Sequence, residues 1–75
     1  MTVLLAASTS PVLDATGHVY VTVPAERRCL RLNRAASRLW RRVTSTGVDR
    51  SSLDADEMSF LLALEAQGAL RLAEV

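Results

Sequence analysis

Few side chains in this sequence have the type and spacing that catalysis requires. The chain has one cysteine, Cys29, and one histidine, His18, and nothing in the sequence pairs either of them with a base or a nucleophile. A structural zinc site needs about four protein ligands, and an activated nucleophile needs an adjacent base. Asp54 and Glu57 have the spacing of paired acids, but a helix cap explains both. The sequence therefore predicts a protein that is not an enzyme and holds neither a metal ion nor a cofactor.

The composition is that of one small domain with an uneven charge. The 75 residues are 49% hydrophobic, so we expect a single folded domain over residues 1–75 with one modest core. The N-terminal apolar run is short and no segment approaches the roughly 20 apolar residues of a membrane span, so we expect a cytoplasmic protein without a signal peptide. All nine basic residues are arginines, most of them in the middle of the chain, whereas the acidic residues concentrate later. A net charge of +1 does not by itself indicate nucleic-acid binding.

Residues 1–33 show the alternation of β-strands. In His18–Val23 the valines fall on one face, and in residues 28–32 Leu30 and Leu32 fall together. Gly17 can supply the positive φ of a tight hairpin turn. We expect a three-stranded antiparallel meander of residues 12–14, 18–23 and 28–32, with a turn at 24–27 and a short additional strand at 3–5.

Two helices follow. Asn33 is a suitable N-cap for the first, which ends at Gly47. Its apolar side is predicted to hold Ala35, Ala36, Leu39, Trp40 and Val43, and its other side Arg34, Arg38, Arg41 and Arg42. Residues 48–53 have room for one irregular turn. The second helix is predicted to begin at Asp54 in a capping box and a hydrophobic staple and to end before Gly68, and residues 69–72 to form a terminal strand or an extension packed on the core.

The final helix has more apolar surface than one core face requires. We assign Phe60, Leu61, Leu64 and Gly68 to the core, which leaves a second apolar arc beside them. This arc and its acidic borders contain Asp54, Ala55, Met58, Leu62, Glu65 and Ala66. We interpret it as one side of a groove. The alternative is that Met58 is fully used in the staple and Leu62 covers a neighbouring loop.

The third strand of the meander is predicted to lie at the sheet edge or close to it. Arginines around it protect an edge from aggregation, which is the simpler interpretation. The functional interpretation is that the edge accepts a guest peptide as an added strand, whose side chains enter the groove beside the last helix. The strand residues of this candidate site are Arg28, Cys29, Leu30, Arg31 and Leu32.

Two segments resemble PqqD-like proteins. Residues 32–40, LNRAASRLW, resemble the signature LN-x-x-A-x-x-(I/L)-W of that family, and residues 60–70 resemble its FL-x-x-L-x-x-x-G-x-L ending. The family includes the precursor-peptide recognition elements of ribosomally made, modified peptides. The resemblance implies an α+β, winged-helix-like fold in which a three-stranded antiparallel N-terminal sheet is followed by two to three helices. It also implies a leader peptide bound as a strand against the third strand, in a cleft shared with the last helix.

A free-standing domain of this length is most similar to the separate leader-binding protein of lasso-peptide biosynthesis. That similarity implies a leader peptidase and a cyclase as partners. One departure is the short connection between the helices, since the family usually has a full second helix where only residues 47–53 stand here.

Two other functions compete with peptide docking. The stripe of Arg34, Arg38, Arg41 and Arg42 is compatible with a winged-helix DNA-binding protein, although phosphates would repel the acidic residues of the final helix. Pairing of two copies through the open edge strand would make a homo-oligomer and compete with a peptide for the same strand.

Overall fold

The computed structural model describes residues 2–9, 11–23 and 26–75. Within these ranges the chain forms six strands, two α-helices and one 3₁₀ turn. In chain order they are β1 (Val3–Ser8), β2 (Val12–Ala15), β3 (His18–Val23), β4 (Arg28–Arg31), α1 (Arg34–Ser45), β5 (Val48–Asp49), the 3₁₀ turn (Arg50–Ser52), α2 (Ala55–Ala66) and β6 (Leu70–Glu74).

The predicted meander is confirmed as one antiparallel sheet in the order β2-β3-β4. Thr16 and Gly17 both have positive φ, at 55° and 79°, as a two-residue turn between β2 and β3 requires. Val19, Val21 and Val23 are buried, as their alternation predicts. Part of the turn predicted at 24–27 lies outside the described residues.

A second antiparallel sheet, in the order β5-β1-β6, was not predicted. The sequence indicated a short strand at 3–5 and a terminal strand or extension at 69–72. The structure pairs these two ends of the chain, with Leu4 opposite Glu74 and Ser8 opposite Leu70. The α+β class is therefore confirmed, but the N-terminal strand belongs to a sheet that the C-terminal segment completes.

Helix α1 begins as predicted and lies over both sheets. The Asn33 side chain accepts the amide proton of Ala36 at 2.8 Å, and Leu39, Trp40 and Val43 are buried. Ala35, on the predicted apolar side, is exposed, whereas Ser37 is fully buried without having been predicted. After the helix, Gly47 has φ of +83°, and a Cβ there would come within 2.7 Å of the Val3 side chain. Only glycine allows so close an approach to β1.

Helix α2 has the predicted capping box. The amide of Glu57 donates to the Asp54 carboxylate at 2.8 Å, and the amide of Asp54 donates to the Glu57 carboxylate at 3.1 Å. Leu61 and Leu64 are buried and Phe60 is half-buried against the core, whereas Gly68 is exposed, so one of the four residues assigned to the core lies outside it. The connection between the helices contains β5 and the 3₁₀ turn, in agreement with a single irregular turn rather than a third helix.

The core combines side chains from both sheets and both helices, among them Leu4, Val21, Trp40, Leu61 and Leu70. Neither of the helices that the structure describes has the length and apolar character needed to cross a membrane.

Candidate functional site

Strand β4 is an edge strand whose outer main-chain groups are open. Leu30 pairs with Val21, and the amide of Leu32 donates to the carbonyl of Val19 at 2.8 Å. Because antiparallel pairing alternates, the N–H and C=O groups of Cys29 and Arg31 point away from β3. No other described residue forms a hydrogen bond with them. The structure therefore presents one short row of unpaired main-chain donors and acceptors.

The end of this strand is fixed to α1 by a buried hydroxyl. The Ser37 Oγ accepts the amide proton of Val19 at 2.9 Å and donates to the carbonyl of Leu32 at 3.2 Å. The Ser37 hydroxyl thus bridges β3 and β4. It takes the place of a direct hydrogen bond from the amide of Val19 to the carbonyl of Leu32. The same carbonyl of Leu32 lies 2.9 Å from Nδ1 of His18, which must donate because a carbonyl only accepts. His18 is used here in main-chain bonding.

The side chains of β4 divide between the two faces of the sheet. Leu30 is half-buried and packs against the core, whereas Cys29 and Arg31 are exposed on the opposite face. Arg28 forms an ion pair with Glu26 at the start of the strand. The edge thus combines an apolar inner side with a basic outer side.

A cleft lies between the helices just beyond the end of β4. Its volume is about 240 Å³ and it is open to solvent. Helix α2 contributes Phe60 with Asp56 and Glu57, which makes this wall apolar with an acidic rim. The α1 side is lined by Asn33, Ala35, Ala36 and Leu39. Since Asn33 follows β4 by two residues, an extended chain lying along β4 would reach this cleft.

The groove predicted from Met58 and Leu62 exists, but it lies on the other flank of α2. These two residues and Glu65 line a depression together with Leu72 of β6, and β4 contributes no residue to it. The carboxylate of Glu65 accepts the amide proton of Leu72 at 3.0 Å. The prediction placed this groove beside β4 because it did not include a sheet of β1 and β6. A role for this flank in peptide binding stays a prediction.

The remaining predicted site residues lie apart from both depressions. Ala55 and Ala66 are exposed on the outward side of α2, and Asp54 is its N-cap. Sequence reasoning placed none of the seven cleft residues in the site; they are Asn33, Ala35, Ala36, Leu39, Asp56, Glu57 and Phe60. The available signal in the sequence was the pair of small residues Ala35 and Ala36. Small side chains there leave a space between α1 and a neighbouring helix.

No cluster of three potential metal-ligating side chains occurs in the part of the chain that the structure describes. Comparison of the chain with protein-family models, with curated proteins and with solved structures returned no significant match.

Proposed function

We propose that this chain is a non-catalytic peptide-docking domain, which captures the leader of a ribosomally made precursor peptide as an added strand on β4. The observation that carries the proposal is the open edge at Cys29 and Arg31, which continues into the apolar cleft between the helices. Main-chain bonds at such an edge supply affinity, and pockets for alternate side chains supply specificity. The arrangement of the meander and the helices is, in this proposal, the winged-helix-like plan of PqqD-like proteins.

The guest peptide is expected to be extended and to carry both charge and apolar surface. Its main chain would bond with the N–H and C=O groups of Cys29 and Arg31. A guest side chain on the inner face would enter the cleft against Ala36 and Phe60. Arg31 has no ion-pair partner among the described residues and favours an acidic guest residue on the outer face, whereas Asp56 favours a basic residue at the rim.

Strand β4 is better suited to accept a guest than the other edges. At β6 the carboxylate of Glu65 already bonds with the outward amide of Leu72. At β2 the side chain of Asp14 is held by Arg41 of α1, and no residue of this strand lines the cleft between the helices. Strand β5 has two residues, which is too short a template for a specific register. Delivery of the bound peptide to a leader peptidase or cyclase is the further step that the resemblance to lasso-peptide systems implies.

Amide hydrogen exchange measured by NMR tests the proposal directly. The probe is the leader peptide encoded beside the gene of this chain. Strand addition should slow exchange at Cys29 and Arg31 and leave Leu30 and Leu32 nearly unchanged, because the amides of the latter pair already bond with β3. Uniform protection across β4, or none at saturating peptide, would contradict strand addition.

A matched pair of substitutions tests the cleft. Ala35→Trp would fill the cleft from an exposed position on α1, and Ala66→Trp places the same side chain on the outward side of α2, apart from the cleft. We expect the first variant to weaken peptide binding by at least about tenfold, the equivalent of about 1.4 kcal/mol, and the second to leave it unchanged. Leu62→Asp is the third variant. If it weakens peptide binding, the peptide binds on the flank of α2 that faces β6 and not in the cleft.

A further inference from the structure

A further concave surface lies where α1 meets the turn between β2 and β3. Its volume is about 390 Å³, and its lining consists of Gly17 with Arg34, Arg38 and Arg41. The arginines follow one another at intervals of four and three residues, so they share one side of α1 over about 10 Å. We refer to this surface as the arginine concavity.

The three guanidinium groups are not equivalent. Arg41 donates two hydrogen bonds of 2.7 Å to the carboxylate of Asp14, and these bonds hold the pKa of that carboxyl below its usual value. The side chains of Arg34 and Arg38 form no hydrogen bond or ion pair with any other residue that the structure describes. Two uncompensated positive charges therefore stand beside a third that is already fixed in place.

We propose that the arginine concavity binds a segment of a partner protein rich in aspartate and glutamate. Guanidinium groups bind carboxylates with two parallel hydrogen bonds, and Arg34 and Arg38 are free to do so. The concavity receives such a segment against the main chain of Gly17, where no side chain stands in the way. The occupant is thus defined by complementary charge.

The charge pattern around the concavity favours an acidic protein segment over nucleic acid. Asp56 and Glu57 line the cleft beside Asn33 and Ala35, so negative charge lies close to the N-terminal end of the arginine row. A short acidic segment can be confined to the concavity. A phosphate backbone, which carries its charge at regular intervals in both directions, would extend to these carboxylates and be repelled.

The arginine concavity is independent of the proposed peptide site. Ala36 and Leu39 face the cleft between the helices, whereas Arg34 and Arg38 line the concavity beside the hairpin turn. Both surfaces can be occupied together. A docking domain could bind its guest peptide at β4 and an acidic segment of an enzyme at the concavity at the same time. Binding at the concavity does not, however, require that β4 bind a peptide.

The test is an NMR titration with an acetylated, amidated hexaglutamate peptide. The chain has three glycines, and only Gly17 lines the concavity, so Gly47 and Gly68 serve as internal controls. We expect a saturable shift of the Gly17 amide signal and none at the other two. Saturating peptide without a Gly17 shift would overturn the proposal.

Two double variants with the same change in net charge separate a site from diffuse attraction. Arg34→Gln with Arg38→Gln should weaken hexaglutamate binding roughly tenfold, whereas Arg42→Gln with Arg71→Gln should change it by less than about twofold. Arg42 and Arg71 are exposed and lie outside the concavity. Equal losses in both variants would overturn the proposal.

A 12-base-pair DNA duplex that shifts the Gly17 amide signal at a lower concentration than the peptide would also overturn it, in favour of nucleic acid. If the leader peptide still slows amide exchange in β4 of both double variants, peptide docking does not depend on the arginine concavity. The two proposals are then tested independently of each other.

Discussion

Ser37→Ala is the substitution whose cost can be worked out most directly from the structure. The Ser37 hydroxyl is the acceptor for the amide of Val19, and the two residues are 0% and 1% exposed. Alanine is nearly the same size, so the substitution removes a hydrogen-bonding group without opening a cavity. The Val19 amide is then buried without an acceptor, because a direct bond to Leu32 would require β3 and β4 to close up around the vacated position.

The expected loss of stability follows from the two bonds that the hydroxyl makes. An unsatisfied buried amide costs about 1–3 kcal/mol. The carbonyl of Leu32 keeps a donor in Nδ1 of His18 at 2.9 Å, so the second lost bond adds little. We therefore expect a decrease of about 2 kcal/mol in the free energy of unfolding, from a total of about 4–11 kcal/mol for a chain of this length. At about 4–8 °C per kcal/mol for a domain of this size, the melting temperature should fall by about 8–16 °C.

Urea unfolding followed by fluorescence of the single tryptophan, Trp40, measures this loss, because that side chain is 4% exposed in the folded state. Ser59→Ala is the matched control, since Ser59 is exposed in the middle of α2 and forms no hydrogen bond through its side chain with any described residue. There the same substitution should stabilise slightly through helix propensity. A Ser37→Ala variant that loses less than about 0.5 kcal/mol would refute the reasoning, because that is the range of surface substitutions.

Two further predictions concern charge and burial. The hydrogen bonds from Arg41 lower the pKa of Asp14 in the folded state, so their contribution is present above the unfolded pKa of about 3.9 and is lost as the pH falls through the folded value. Asp14→Asn should therefore lower the urea midpoint near neutral pH and leave it unchanged in acid, and in an Arg41→Gln background it should have no such effect. Leu61→Asp should unfold the domain, because burial of an unpaired carboxylate costs several kcal/mol at a position that is 0% exposed. Leu62→Asp should retain the melting temperature measured by circular dichroism, since Leu62 is 48% exposed, and an equal loss in both variants would contradict this assignment.

The features predicted correctly from the sequence are those with local causes. The capping box at Asp54 depends on residues three positions apart, and the hairpin turn depends on positive φ at the adjacent residues Thr16 and Gly17. The alternation from His18 to Val23 reports a strand with one buried face. Each signal lies within a few residues of the structure that it specifies, so no knowledge of the rest of the fold is needed to interpret it.

The features that were missed depend on contacts between distant parts of the chain. Leu4 pairs with Val48 on one side and Glu74 on the other, and no local pattern in 3–8 indicates two partners. Without this second sheet, the apolar arc of Met58 and Leu62 had no visible partner and was assigned to β4. Ser37 was also missed, because a serine within an arginine-rich helical turn has the sequence signature of a solvated position. Only the sheet beneath it makes its hydroxyl necessary.

Helix α1 gives the two edges of the meander different roles. On one side of the helix, at intervals of four residues, Asn33 follows β4, Ser37 bonds with β3, and Arg41 bonds with Asp14 of β2. The helix therefore crosses the whole sheet, and its C-terminal half restrains the β2 edge with an ion pair. Its N-terminal half leaves the outer main-chain groups of β4 free and forms one wall of the cleft beyond them. Two edges that are equivalent in a bare meander thus differ in their surroundings, because an ion pair to α1 lies beside the β2 edge and an apolar cleft lies beyond the β4 edge.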